Sequence, residues 1–155
     1  MKMSLSPICK VEHFKDYFEF LSFLKAVEKD FVPPLLSRIN PIDYYQKIES
    51  FGIVLKYFIK SEIAGVAVMY ANDLKSKTAF ITFIATKEQF RGKHIATNLL
   101  TECFKVAKSE GMKYIEIETN NLIARECYLR VGFVETTVKQ IENTDLSRYF
   151  LKKEL

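Results

Sequence analysis

The sequence lacks the motifs and the long apolar segments of several large protein classes. Its five glycines are too far apart for G-x-G-x-x-G or for a P-loop, so neither a dinucleotide-binding enzyme nor a nucleotide hydrolase is indicated. No apolar run approaches the roughly 20 residues that cross a bilayer, and we expect no membrane partner. The glycines are Gly52, Gly65, Gly92, Gly111 and Gly132.

Cysteine and histidine are also scarce. Cys9, Cys103 and Cys127 form no C-x-x-C pair and are odd in number, and His13 and His94 lie far apart. Cys103 and Cys127 fall in apolar helical patterns, which predict buried thiols rather than a disulfide or a metal site. We therefore expect no metal centre.

Charge and the start of the chain exclude further classes. Lys and Arg number 23 against 19 Asp and Glu, a net charge of +4. Because the sequence contains no dense basic stripe, we do not expect nucleic-acid binding. A modest positive charge does suit a small polyanionic ligand. The first residues lack the apolar core of a signal peptide, so we expect a cytoplasmic protein.

Length and periodicity predict one domain of mixed structure. The 155 residues are 48% hydrophobic, enough for a substantial core. Apolar spacing of three and four alternates with spacing of two, which indicates helices and strands respectively. The predicted elements are a possible strand over 8–11, helices over 13–29 and 41–50, strands over 53–59, 63–70 and 78–85, a helix from about 95 to 110, a strand over 113–119, a helix over 122–131, and strands over 133–139 and 147–153.

The stretch Ile81–Ala107 is the centre of this organisation. A strand ends at Thr86, a polar bend follows, and an amphipathic helix begins. The first N–H groups of a helix have no partner within it, and the helix dipole adds about half a positive charge, so such a bend favours an anion, typically phosphate. Arg91, Gly92 and Lys93 lie at the bend. Taken alone, they also fit a solvated basic loop.

A second motif lies on the next predicted helix. Asn121, Ala124, Tyr128 and Gly132-Phe133 follow the spacing Asn-x-x-Ala-x-x-x-Tyr-x-x-x-Gly-Phe. Together with Arg91–Ala96, and in this order on these elements, the motif resembles the GNAT superfamily of acyl-CoA-dependent N-acetyltransferases. The resemblance is good over about 62–133 and acceptable to the C-terminus. Residues 1–60 match only in their helix count, and His94 stands where glycine is usual.

The resemblance implies both a fold and an activity. The fold class is α+β, arranged α/β/α, with a mixed, mostly antiparallel sheet of six or seven strands, splayed in the middle, and about four helices. The activity is transfer of an acetyl group from acetyl-CoA to a primary amine. The implied organisation is a single N-acetyltransferase domain over 1–155, in which 1–60 shape the acceptor site and 78–133 bind acetyl-CoA.

For acetyl-CoA, the resemblance implies three groups of contacts. Backbone amides at the bend would hold the pyrophosphate, the end of the preceding strand would pair with the pantetheine amides, and Asn121 would hydrogen-bond the pantetheine arm. The implied cofactor-binding residues are Ile84, Ala85, Thr86, Arg91, Gly92, Lys93, His94, Ile95, Ala96, Thr97, Asn121 and Tyr128.

Three side chains at this implied site have two interpretations each. The Tyr128 phenol, with an unperturbed pKa of about 10, can donate to the departing thiolate, or the ring can simply pack against the last strands. Glu116 and Glu118 share a strand face, and Glu118 is the candidate catalytic base; a solvated or ion-paired face is the alternative. The His94 ring either crowds the pyrophosphate or points outward.

The acceptor and the activity itself are left open by the sequence. The acceptor is a small-molecule or peptide amine, and we expect residues 31–38 to form part of the mouth of its pocket. A non-catalytic acyl-CoA-binding or regulatory module, and a transferase of longer acyl chains, fit the same motifs. The protein is a monomer or a homodimer, since an exposed final strand could pair with a copy of itself.

Overall fold

A seven-stranded mixed sheet forms the centre of the protein, as a computed structural model of residues 7–155 describes it. The strand order is β1-β2-β3-β4-β5-β7-β6, and every neighbouring pair is antiparallel except β4 and β5. The elements are β1 Ile8–Val11, α1 Tyr17–Val27, α2 Pro41–Phe51, β2 Gly52–Ile59, β3 Glu62–Tyr70, β4 Thr78–Thr86, α3 Ile95–Ser109, β5 Tyr114–Thr119, α4 Leu122–Arg130, β6 Val134–Gln140 and β7 Ser147–Glu154.

These elements confirm the predicted fold class, with seven strands and four α-helices in the described chain. Short 3-10 turns at Glu28–Asp30, Leu35–Ser37 and Glu88–Phe90 complete the connections. Among residues 7–155, no helix is long and apolar enough to cross a membrane.

The first helix begins later than its apolar pattern predicted. Asp16 has an extended backbone, and its carboxylate accepts the Glu19 N–H at 2.9 Å, so the helix starts at Tyr17 instead of near residue 13. The second helix starts as predicted, because the Asn40 side chain accepts the N–H groups of Ile42 and Asp43.

Both faces of the sheet are covered. On one face, α3 packs Leu99, Leu100 and Cys103 against the sheet; on the other face, α1 and α2 pack residues such as Phe20 and Ile48. Alternate residues of β3 point to the two sides, so almost the whole strand is buried. The layers are therefore helix, sheet and helix, as the fold class requires.

The sheet opens between β4 and β5. These strands pair only at Thr78–Phe80 with Tyr114–Glu116. Beyond Phe80, β4 continues beside β3 as far as Thr86, while β5 continues beside β7 as far as Thr119. The register of β3 on β4 skips Thr82, a bulge that bends β4 where the two strands separate. The predicted splay is present, and it leaves the second half of β4 with one unpaired edge.

Candidate active site

Two cavities open where β4 and β5 separate. The larger, of about 640 Å³, is lined by the end of β4, the bend before α3, the first turn of α3, and α4. The smaller, of about 270 Å³, is lined by the middle of β4, the end of β5 and the segment between α1 and α2. Five residues border both cavities: Phe31, Ile84, Thr119, Asn120 and Tyr128.

The start of α3 forms a cradle of backbone N–H groups at the larger cavity. His94 is the N-terminal cap and provides no side-chain hydrogen bond, so the N–H groups of Ile95, Ala96 and Thr97 have no acceptor within the described chain. Gly92 has φ +80°, and apart from the adjoining residues no part of the described chain lies within 4 Å of the position that a Cβ would take. Free N–H groups at the positive end of a 15-residue helix suit a phosphate.

The His94 backbone is left-handed, with φ 59° and ψ 26°. Glycine adopts this conformation without strain, which accounts for the glycine usual at this position of the pattern. The side chain is exposed, in agreement with the outward-pointing interpretation, although the residue still borders the larger cavity.

Gly65 on β3 lets this helix start lie directly on the sheet. A Cβ at this position would lie 2.8 Å from Ile95 Cγ2 and 3.3 Å from the Ala85 carbonyl oxygen. Contact this close leaves no room for a side chain. The cradle is thereby held beside the unpaired edge formed by Ile84, Ala85 and Thr86, which also line the larger cavity.

Tyr128 lies where the two cavities meet. The residue is 6% exposed and packs against Phe133, with ring centroids 6.0 Å apart. Its hydroxyl has no hydrogen-bond partner among residues 7–155, and burial raises the pKa of Tyr128 well above its ordinary value. A buried, protonated phenol between two cavities can donate a proton to a group in either one.

Asn121 already has a structural role. Its side-chain oxygen accepts the Ala124 N–H at 2.9 Å and so caps α4, which leaves its amide N–H₂ for a ligand. The neighbouring Asn120 donates to the Val32 carbonyl at 2.5 Å and ties the segment after α1 to the end of β5.

The smaller cavity holds several polar side chains. Glu118 accepts a hydrogen bond from Arg148 Nη1 at 3.2 Å. The Tyr44 hydroxyl lies 2.9 Å from Thr82 Oγ1 at the bulge, and burial raises the pKa of Tyr44 to about 12. Arg38 borders the same space. The cavity therefore combines a carboxylate, two guanidinium groups and several hydroxyls with apolar walls.

The structure brings most of the predicted site residues to these cavities. Glu118 lines the smaller cavity and is ion-paired, as the alternative interpretation of this residue predicted. Glu116 lies on the part of β5 that is paired with both β4 and β7. Lys93 is exposed and borders neither cavity. The predicted mouth at 31–38 contributes Phe31, Leu35 and Arg38. The predicted cofactor-binding residues that line the larger cavity are Ile84, Ala85, Thr86, Arg91, Gly92, His94, Ile95, Ala96, Thr97, Asn121 and Tyr128.

Several lining residues were not predicted from the sequence, among them Asp30, Thr82, Cys127 and Arg148. Cys127 was expected to be buried, as Cys103 is, but it is only partly buried at the wall of the larger cavity. Helical periodicity could not show this, because Ala124, Cys127 and Tyr128, which line the larger cavity from α4, also pack against the core. Among the described residues, no cluster of His, Cys, Asp and Glu could hold a metal ion.

Comparison with known families decides the assignment. The sequence model of the acetyltransferase (GNAT) family matches residues 20–133, most of the chain. The protein belongs to the GNAT family. The match confirms the resemblance predicted from the Arg91–Ala96 and Asn121–Phe133 motifs.

Solved structures of other acetyltransferases share this fold. A GNAT acetyltransferase from Streptococcus pneumoniae superposes with a TM-score of 0.78 at 21% identity, covering 97% of this chain and 99% of that one. The ribosomal-protein-S18-alanine N-acetyltransferase of Escherichia coli gives 0.77 at 12% identity, covering 96% and 94%. A Bacillus subtilis acetyltransferase in complex with CoA gives 0.73 at 19% identity, covering 97% and 99%. Comparison with curated protein sequences finds no match to this GNAT chain.

Proposed function

We propose that the protein is an N-acetyltransferase that moves the acetyl group of acetyl-CoA to a primary amine by direct attack. The observation that carries this proposal is the meeting of two cavities at Tyr128 inside the splay between β4 and β5. One cavity would take the coenzyme and the other the amine. In this interpretation residues 1–155 form a single domain, with 1–60 shaping the acceptor site and 78–133 binding acetyl-CoA.

The larger cavity fits coenzyme A in size and in chemistry. Its volume of about 640 Å³ lies within the roughly 300–1,000 Å³ of ligand sites. The N–H groups of Ile95–Thr97 and the Arg91 side chain would hold the diphosphate, and the free edge at Ile84–Thr86 would pair with the pantetheine amides. The CoA complex of the Bacillus subtilis relative supports this choice of ligand.

Three groups of this chain would then carry the reaction. Acetyl-CoA supplies the acetyl group as a thioester, whose C–S bond breaks as the C–N bond to the amine forms. Tyr128 donates its proton to the departing sulfur, since the burial that keeps this phenol protonated also favours the neutral form of a thiol beside it. A backbone N–H of Ile84–Thr86 polarises the thioester oxygen. Glu118 lines the smaller cavity in its ion pair with Arg148, and we assign to it the proton lost by the amine, directly or through water.

An amine acceptor agrees with what the Escherichia coli relative is named for, an alanine of a ribosomal protein. Acetyl transfer is tested by release of free thiol from acetyl-CoA with a broad panel of amines, beside calorimetric binding of acetyl-CoA. We expect binding together with transfer to at least one class of amine. Binding without transfer to any amine would favour a non-catalytic acyl-CoA-binding module. Faster reaction with longer acyl-CoA thioesters would show that the donor is a longer acyl-CoA instead of acetyl-CoA.

Asp30 should weaken coenzyme binding. It lies in the 3-10 turn after α1, borders the larger cavity and forms an ion pair with Arg91. A diphosphate in the cradle competes with this carboxylate for the guanidinium group and is repelled by it. Asp30→Asn should therefore lower the dissociation constant of CoA a few-fold, a modest change because both side chains are partly exposed.

The matched control for Asp30→Asn is Asp145→Asn, an exposed carboxylate that lines neither cavity. It removes the same charge, so it should leave the dissociation constant of CoA unchanged. Both constants are measured by calorimetry at low and high salt, and the difference between the variants should shrink as salt screens the charges. Weaker CoA binding in Asp30→Asn would show that the ion pair supports the cradle.

A further inference from the structure

We propose that the amine accepted by this enzyme carries an anionic group, a carboxylate or a phosphate, that is bound by Arg38 beside Arg148. The proposal rests on the proposed acetyl transfer and names the class of its acceptor. It is carried by the charged side chains of the smaller cavity, of which only Glu118 had been singled out in the sequence.

The two guanidinium groups come from distant parts of the chain. Arg38 ends the 3-10 turn Leu35–Ser37, between α1 and α2, and Arg148 lies near the start of β7. Both line the smaller cavity with Glu118 and Tyr128. The cavity thus has cationic groups together with the proposed acid and base of the transfer reaction.

Of the described residues, two guanidinium groups and one carboxylate line the smaller cavity, so its positive charge exceeds its negative charge. Arg148 pairs with Glu118, whereas Arg38 has no ion-pair partner among residues 7–155. Loss of solvent lowers the pKa of Arg38, and repulsion by the Arg148 charge lowers it further. An anion between or beside these groups removes that repulsion, and a planar carboxylate matches the forked donors of a guanidinium.

Size and charge favour a small anionic amine over a polyamine. At about 270 Å³ the cavity is below the range usual for drug-sized ligands, so it suits a small molecule. A polyamine would bring its remaining cationic groups toward two arginines, against like charge. The apolar walls formed by Phe31, Leu35 and Ile39 suit a short hydrocarbon portion between the amine and the anionic group. A small amino acid or a phosphorylated amine has this combination.

The test compares anionic amines with analogues that lack the anionic group. Leucine is compared with leucinamide and 3-methylbutylamine, and O-phosphoethanolamine with ethanolamine, by thiol release from acetyl-CoA. We expect kcat/KM for at least one anionic amine to exceed that of its neutral counterpart by tenfold or more. These amines differ in basicity, since leucinamide loses its ammonium proton more easily than leucine and 3-methylbutylamine less easily. The rates are therefore compared at equal concentrations of the unprotonated amine.

Arg38→Gln removes the charge at nearly constant size, and Lys105→Gln is its control, because Lys105 is 70% exposed on α3 and borders neither cavity. Arg38→Gln should reduce the preference for the anionic amine about tenfold through a raised KM, while Lys105→Gln retains the preference. A preference that persists in Arg38→Gln, or equal rates for neutral and anionic amines, overturns the inference. Transfer to neutral amines alone overturns it and leaves acetyl transfer standing, whereas failure to bind acetyl-CoA overturns both.

Discussion

Replacing Tyr128 with phenylalanine should lower kcat about 100-fold or more and leave the dissociation constant of acetyl-CoA nearly unchanged. The substitution removes only the proton that the departing sulfur receives. The ring still packs against Phe133, and no protein group loses a partner, because the hydroxyl has none among residues 7–155. The melting temperature should therefore stay close to that of the wild type.

Tyr149→Phe is the matched control for Tyr128→Phe. Tyr149 lies on β7, is partly buried against the core on the α3 side and lines neither cavity. Tyr149→Phe also removes one phenol hydroxyl, but outside both cavities, so kcat should be unchanged. Steady-state thiol release gives kcat for both variants, and calorimetry gives the binding constant. Full turnover in Tyr128→Phe would leave the tyrosine with a packing role only.

The pH profile of the wild type provides a second measurement on the same group. A general acid must be protonated, and loss of that proton produces a fall in kcat as the pH passes the pKa of the acid. Burial raises the pKa of Tyr128, so this fall moves to higher pH than the value of about 10 of an ordinary phenol. We expect kcat to rise as the amine deprotonates and then to remain level to about pH 10.

Much of the larger cavity could be predicted from the sequence, because one continuous stretch of chain forms a large part of its wall. β4, the bend and α3 follow each other along the chain, so the spacing of Thr86, Arg91 and Ala96 already placed the cradle. Lys93 was predicted to line this cavity and does not, because the left-handed backbone at Gly92 and His94 on either side of it sets where its side chain lies. A single-residue conformation of this kind leaves no periodic signal.

Most of the smaller cavity could not be predicted, because its residues are brought together by tertiary structure. Arg148 meets Glu118 only because β7 returns between β5 and β6, and Tyr44 reaches Thr82 only because β4 bulges there. Sequence spacing contains neither the strand order nor the bulge. The predicted start of α1 was wrong for a simpler reason, since the apolar spacing already begins before Asp16, the N-cap at which the helix starts.

Introducing a carboxylate at Ala96 should raise the dissociation constant of CoA roughly 30- to 100-fold. Ala96 is the second residue of α3 and lines the larger cavity. In Ala96→Asp a fixed negative charge lies beside the N–H groups that we assign to the diphosphate, and it both repels the phosphates and competes for those groups. At about 6 Å and an effective dielectric constant near 20, the repulsion amounts to about 2–3 kcal/mol.

Two controls separate this charge effect from damage to the helix. Thr101→Asp places the same charge on an exposed position of α3, away from the cavity, and should leave CoA binding unchanged. Pantetheine lacks the diphosphate, so Ala96→Asp should weaken its binding far less than that of CoA. The fold should tolerate the change, because a carboxylate in the first turn of a helix is favourable. Equal losses for CoA and pantetheine would mean that the start of α3 does not bind the diphosphate, and the coenzyme would then have to be placed elsewhere in the splay.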